Sequence, residues 1–227
     1  MLKKYFGMTF LILYFLLLFP LRSADKIAIV IKVIGEVDFE RQSAGFKTIK
    51  PGSFLENGDR LRTGKNGFAA IIFIDDKSTL KIKENSEVII AGSILQNTIS
   101  KKIRLNRGTL RAQVTPQKKG GFTIQTAVSV ASVKGTDFWL LSDPLSGDQL
   151  IGLEGLVTLY NLISGDSISI TIGNTGLSLA DGSLESFVTD PNTIPSDPMG
   201  ESGSLNELKI EFQDPAGEKK SLIIEYK

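Results

Sequence analysis

Apolar and polar positions alternate with a period of two along almost the whole chain beyond residue 25. Residues 26 to 33 set the pattern: Ile27, Ile29, Ile31 and Val33 are predicted on one face of a strand, Lys26, Ala28, Val30 and Lys32 on the other. Gly35 interrupts the run, and Val37 and Phe39 resume it. Residues 68 to 74 are apolar on both faces, which predicts a central strand covered from both sides. Shorter strands are predicted at 79–82, 88–90, 103–105, 110–114, 122–126, 138–141, 150–153, 156–160 and 168–172. Turn signals separate them at Asn57-Gly58, Asn66-Gly67, Asp75-Asp76, Asn106-Arg107-Gly108, Gly120-Gly121, Gly147-Asp148 and Asn161. Their spacing of roughly 8–12 residues is that of all-β domains. No segment beyond the first 25 residues carries an apolar stripe of helical period, so the fold class is all-β.

The two ends of the chain follow other patterns. Lys3 and Lys4 precede an apolar run, residues 6–19, interrupted only at Gly7, Met8 and Thr9, and Pro20 ends it before Leu21-Arg22-Ser23-Ala24. A positive start, a short apolar core and small residues at the end predict a secretory signal peptide over 1–24. The alternative is an uncleaved membrane anchor, although the run is shorter than the about 20 residues a spanning helix needs. Residues 25–188 form the predicted β domain. Residues 189–204 read TDPNTIPSDPMGESGS, hold three of the eight prolines and are expected to be a flexible linker. Residues 205–227 alternate again on both sides of Asp214-Pro215-Ala216-Gly217, which predicts a C-terminal β-hairpin. A lone hairpin is marginal in water, so it is expected to pack on the domain or to pair elsewhere.

Composition narrows the chemistry. The chain of 227 residues has no Cys and no His. Metal sites built on thiolate or imidazole, Ser-His-Asp and Cys-His nucleophiles and disulfides are therefore excluded for this chain alone, and no cofactor is expected. Charge is almost balanced, 26 Lys+Arg against 25 Asp+Glu, which argues against nucleic acid as a partner. The balance is an average. Residues 101–119 contain Lys101, Lys102, Arg104, Arg107, Arg111, Lys118 and Lys119 and no acid, whereas 181–207 contain six acids and no base.

Three stretches resemble the FecR family domain. Asn57-Gly58-Asp59-Arg60-Leu61-Arg62-Thr63-Gly64, with the apolar strand after it and Asp76-Lys77-Ser78-Thr79-Leu80, is similar to the family's G-D-x-hydrophobic-x-T-G and D-G-S-x-L elements. Leu105-Asn106-Arg107-Gly108-Thr109-Leu110 resembles L-x-x-G-x-L. Val133-Lys134-Gly135-Thr136-Asp137-Phe138, followed by Glu154-Gly155-Leu156-Val157, resembles V-x-G-T-x-F and E-G-x-V. The resemblance covers about residues 33–160. It implies a β-roll or short solenoid-like sandwich in which Gly58, Asp59, Gly64, Gly108, Gly135, Thr136 and Phe138 have structural roles. Lys77 stands where the family usually has Gly. For the anti-sigma region that precedes the membrane span in the classical regulators, no counterpart is expected here. The resemblance therefore implies an exported, stand-alone FecR-like domain, in the periplasm or at the cell surface of a bacterium.

Candidate chemistry is sparse. Ser78-x-x-Lys81 matches an S-x-x-K nucleophile motif, but on a strand residues three apart point to opposite faces. Lys134-Gly135-Thr136 is not a K-T-G, because Gly and Thr are exchanged. Asp75 and Asp76 with Glu84 and Glu87 offer oxygen ligands for a hard cation, but no spaced D-x-D-x-D-G loop supports them, and turn acids are the plainer reading. A hairpin through Asn106-Arg107-Gly108 is expected to bring Lys102, Arg104 and Arg111 onto one face, as a patch for a polyanion or as a solvated, charge-protected sheet face. The acidic tail is expected to fold over that patch or to compete for it. The function expected is non-enzymatic: binding of an envelope protein or anionic envelope polymer, with membrane contact only through the leader if it is uncleaved. The alternative is the periplasmic sensing component of a split sigma-factor regulatory system. A carboxylate-based glycan hydrolase or transferase finds no convincing acid pair.

Overall fold

The computed structural model describes residues 26–95, 98–116, 120–199, 206–213 and 217–226. The predicted leader, 1–24, lies outside the described residues. The chain begins with β1 (Lys26–Ile34), β2 (Val37–Glu40), β3 (Lys47–Thr48), β4 (Phe54–Glu56), β5 (Asp59–Thr63), β6 (Phe68–Phe73), β7 (Thr79–Ile82) and β8 (Glu87–Leu95). The 17-residue β9 (Thr98–Val114) follows. The second half adds β10 (Phe122–Gln125), β11 (Ser129–Val133), β12 (Thr136–Asp143), β13 (Gly147–Glu154), β14 (Leu156–Asn161), β15 (Ser167–Thr171), β16 (Asn174–Leu179) and β17 (Leu184–Val188). β18 (Asn206–Gln213) and β19 (Lys219–Tyr226) pair only with each other.

Two sheets face each other across one core. The first runs β4-β1-β6-β7-β9-β12-β13-β16-β17, antiparallel throughout. The second runs β3-β2-β5-β8-β9-β10-β11-β14-β15, antiparallel except for the parallel pair β9–β10. Inward residues of both sheets, among them Leu80, Leu110, Phe138 and Leu150 from the first and Leu61, Ile103, Phe122 and Leu159 from the second, form a single buried cluster. Alternation predicts the all-β class, and the two packed sheets fit the sandwich that the resemblance implies. β6 is buried at every residue, as its two apolar faces require.

The expected hairpin at Asn106-Arg107-Gly108 is absent. β9 continues through it and belongs to both sheets, pairing with β8 and β10 before the bend and with β7 and β12 after it. Gly108 has φ of 103°, and a Cβ there would sit 2.2 Å from Ser86 Oγ, so only glycine lets the strand pass this corner. The register against β8 shifts at the same place. Inward positions change parity across the bend, from Ile103 and Leu105 to Leu110, Ala112 and Val114.

β1 also departs from simple alternation. Two register shifts divide its apolar residues. Ile27, Ala28 and Val30 join the main core, with Val33 packed against it, whereas Ile29 and Ile31 join Phe68, Ala70 and Ile72 in a second cluster on the outer face of the first sheet. Leu208, Ile210 and Ile224 of the C-terminal hairpin, with Met199 and Phe54, pack on that cluster. Each side chain so half-buried contributes roughly 1 kcal/mol.

Candidate functional site: a strapped platform on the first sheet

Strand register aligns one row of residues across the outer face of the first sheet. Phe187, Thr175, Ile151, Trp139, Arg111, Lys81 and Ala70 are successive cross-strand neighbours. Residues 189–199, within the segment expected as linker, have contacts with this row. The Thr189 amide donates to Gly173 O at 2.9 Å, and its hydroxyl lies 2.9 Å from that of Thr175. A 3₁₀ turn, Pro191–Thr193, is capped by Asp190, whose carboxylate accepts from the Asn192 amide at 2.9 Å. Pro191, Ile194 and Pro195 reach Trp139 and Leu153, leaving a cleft of about 390 Å³.

One carboxylate of the strap meets both cations of the platform, and Lys83 Nζ donates to Ser196 O at 3.3 Å beside it. Asp197 accepts from Lys81 Nζ at 2.7 Å and from Arg111 Nη1 at 2.9 Å, and its second oxygen accepts from the Met199 amide at 2.9 Å. Arg111 also donates to both oxygens of Asp137, at 2.8 and 2.7 Å, and Gln113 donates to Asp137 at 3.0 Å. The Arg111 guanidinium lies 5.9 Å from the centre of the Trp139 ring. Lys81 and Asp197 side chains are only 3 % and 4 % exposed. Burial alone would raise the Asp197 pKa, but the hydrogen bond from Lys81 and the charges of Lys81 and Arg111 hold it below the ordinary carboxylate value. Burial would likewise lower the Arg111 pKa, and the bonds and charges of Asp137 and Asp197 outweigh it and raise the pKa.

The basic residues expected to share one face are divided between the two sheets. Arg111 belongs to the platform and is bound there by an acid of the tail. Lys102 and Arg104 stand exposed on the outer face of the second sheet. Arg104 lies in a row with Gln125, Val130 and Tyr160, and Lys102 in a row with Thr123, Ser132, Thr158 and Ser169. Among the described residues neither has an ion-pair partner. Their neighbour Lys101 points inward and is fully buried, with Asp75 at 2.8 Å and Asp76 at 2.6 Å. Asp75 and Asp76 thus hold a lysine. Glu87 faces Arg62 and Asn106, and Glu84 lies 4.0 Å from Lys83. Among the described residues, no group of three or more acidic side chains is placed to hold a metal ion.

Residues of the motifs have local structural partners. Asp59, beyond Gly58 in the turn, accepts from the Glu56 amide at 2.9 Å and from Arg41 at 2.9 and 2.6 Å. Gly64 donates to Glu36 O at 2.9 Å. At Gly135, with φ of 128°, a Cβ would lie 2.9 Å from Pro116 Cα. Thr136 is buried and Phe138 fills the core. The Ser78 hydroxyl does not serve its own turn: it accepts from the distant Thr115 amide at 3.1 Å, while Asp76 accepts from the Ser78 amide at 2.9 Å. Ser78 and Lys81 have separate partners, Thr115 and Asp197.

Sequence reasoning missed Lys81, Trp139, Asp137 and Asp197 as one constellation. The available signals were a lysine inside the apolar run 79–82 and a lone tryptophan on the face shared with Asp137.

Residues 59–157 match the family model described as FecR protein. The matched span contains Lys81, Arg111 and Trp139 but not Asp197. Two crystal structures of a protein from Parabacteroides distasonis, named "putative anti-sigma factor", are similar at 9 % identity, with TM-scores of 0.50 and 0.48. Each similarity covers 58 % of this chain and 60 % of the other, so the chain spans less than two thirds of the neighbour's length. At this identity the likeness is one of fold. No curated protein matches the sequence.

Proposed function

We propose that this chain, which carries a FecR domain, is a non-catalytic recognition module of the bacterial envelope, and that it senses by binding. The observation that carries the reading is the open face of the second sheet. Lys102 and Arg104 lie inside the FecR span, exposed and without ionic partners among the described residues, Lys102 in a row of Thr and Ser side chains and Arg104 in one of Gln125, Val130 and Tyr160. Such a surface fits an anionic envelope component. A non-catalytic role is supported by the other charged cluster. Its lysine, arginine and aspartates are mutually bonded at 2.7–2.9 Å and hold a strap in place. In-situ crosslinking of the full chain in the bacterial envelope, with identification of what co-purifies, tests the reading. Lys102→Glu with Arg104→Glu should abolish capture of an anionic fraction and flatten its salt dependence. Equal capture by wild type and variant would refute it.

The FecR match favours one setting for this binding, the exported sensing arm of a sigma-factor regulatory system. Deleting the chain should then change transcription from promoters of one alternative sigma factor. An unchanged transcriptome in the presence of the captured component would refute that setting.

A further inference from the structure

The strap lies on a surface built to hold an extended acidic segment. A lysine side chain 3 % exposed and a half-buried arginine converge on one carboxylate, and a tryptophan 1 % exposed lies beside them. Removing water from two cations is costly unless an acid is always present. Here the acid comes from residues 189–199, a segment with one short 3₁₀ turn and three prolines that owes its place to a few anchors. Its apolar contact with the sheet is incomplete, since a solvent-open cleft of about 390 Å³ remains between Trp139, Leu153 and Ile194. Among the described residues Asp197 is its one ionic anchor, beside hydrogen bonds of Thr189 to Gly173 and Thr175 and of Lys83 to Ser196.

We propose that the Lys81–Arg111–Trp139 platform is a binding site for an extended acidic segment of a partner protein, occupied in this state by the chain's own residues 189–199. The partner segment supplies a carboxylate for Lys81 and Arg111. On the side toward Leu153 it supplies an apolar side chain bulkier than Ile194, which fills the cleft. The second feature is needed because the strap is tethered to the sandwich and competes at a high effective concentration. Exchange of strap for partner would also free the C-terminal hairpin, which follows the strap and covers Ile29, Ile31 and Ile72. This surface is separate from the open face that bears Lys102 and Arg104.

Trp139 is the only tryptophan of the chain and reports strap position directly. In the full chain, Asp197→Lys places a third cation beside Lys81 and Arg111. It should shift Trp139 emission to the red and raise acrylamide quenching several-fold, with the far-ultraviolet circular dichroism of the sandwich retained. A synthetic peptide with the sequence of residues 188–199 should then restore the blue, protected emission in a saturable way. Replacing the peptide's second carboxylate, that of Asp197, by alanine should weaken it at least about tenfold. Phenylalanine in place of its isoleucine should strengthen it. Asp197→Asn, which removes charge without adding any, gives the same readout if the lysine variant does not fold. Lys102→Glu with Arg104→Glu should leave every one of these signals unchanged, so failure here is distinct from failure of the open face. Wild-type protection of Trp139 in both Asp197 variants, equal restoration by the alanine peptide, or restoration by inorganic polyphosphate in place of peptide would each overturn the proposal.

Discussion

On the outer face of the first sheet, Lys81 is buried and shares Asp197 with Arg111. On the outer face of the second, Lys102 and Arg104 stand in solvent. Both faces come from the same alternation and from the same strand, β9, which contributes Arg111 to one and Lys102 and Arg104 to the other. What differs is the chain that comes after the sandwich. Residues 189–199 and the C-terminal hairpin cover the first sheet only. The state of an outward cation is decided by what crosses it, more than by its place in a strand.

The sharpest contrast lies between neighbours. Lys101→Met leaves Asp75 and Asp76 without their buried counter-ion and should cost about 3–5 kcal/mol. Lys102→Met should change stability by no more than about 0.5 kcal/mol. Urea unfolding of the two variants measures both, and equal midpoints would refute the difference between the two lysines. Next in size is Asp197→Ala, expected to cost up to about 3 kcal/mol and less if the strap lifts and water reaches Lys81. The same unfolding curve, read together with Trp139 emission, separates the two outcomes.

Acid should loosen the strap. The folded-state pKa of Asp197 is depressed, so the stability it contributes is complete above the ordinary carboxylate pKa of about 3.9. That stability is lost as pH falls through the folded value. Trp139 quenching should therefore be flat at neutral pH and rise only well into the acid range. A transition near neutrality would refute the assignment. The smallest stability effect belongs to Lys102→Glu with Arg104→Glu, which should leave the unfolding midpoint almost unmoved while altering polyanion binding.

Much of the fold was legible in the residues. β6 announced itself by seven apolar residues in succession, 68–74, and the C-terminal hairpin by alternation on both sides of Asp214-Pro215-Ala216-Gly217. The bend of β9 was misread because Asn-Arg-Gly has turn composition. The corrective signal was present in the parity of the apolar residues, odd before Asn106 and even after Thr109, since a single bulge moves every later side chain to the other face. The platform was less accessible. Lys81, Arg111 and Trp139 are neighbours only through pairings between β7, β9 and β12, which alternation does not specify. Asp197 lay in a stretch whose Pro and Ser content reads as solvated chain, and one buried carboxylate leaves no periodic trace. The charge asymmetry did point to an acidic tail reaching a basic residue. The structure brings Arg111 to that tail and leaves Lys102 and Arg104 on the other sheet, because net charge carries no information about which sheet a residue faces.

The passage of β9 through both sheets has a consequence for how the molecule comes apart. Separating the sheets would strip ladder hydrogen bonds from one half of a continuous strand while its other half stayed paired. No cut in the sandwich spares this strand, so the two sheets have no low-energy route to open singly and should melt as one cooperative unit. Native-state hydrogen exchange should find amides of β7, β8, β10 and β12 closing and opening with a common free energy. The hairpin β18–β19, outside that unit, should exchange far sooner.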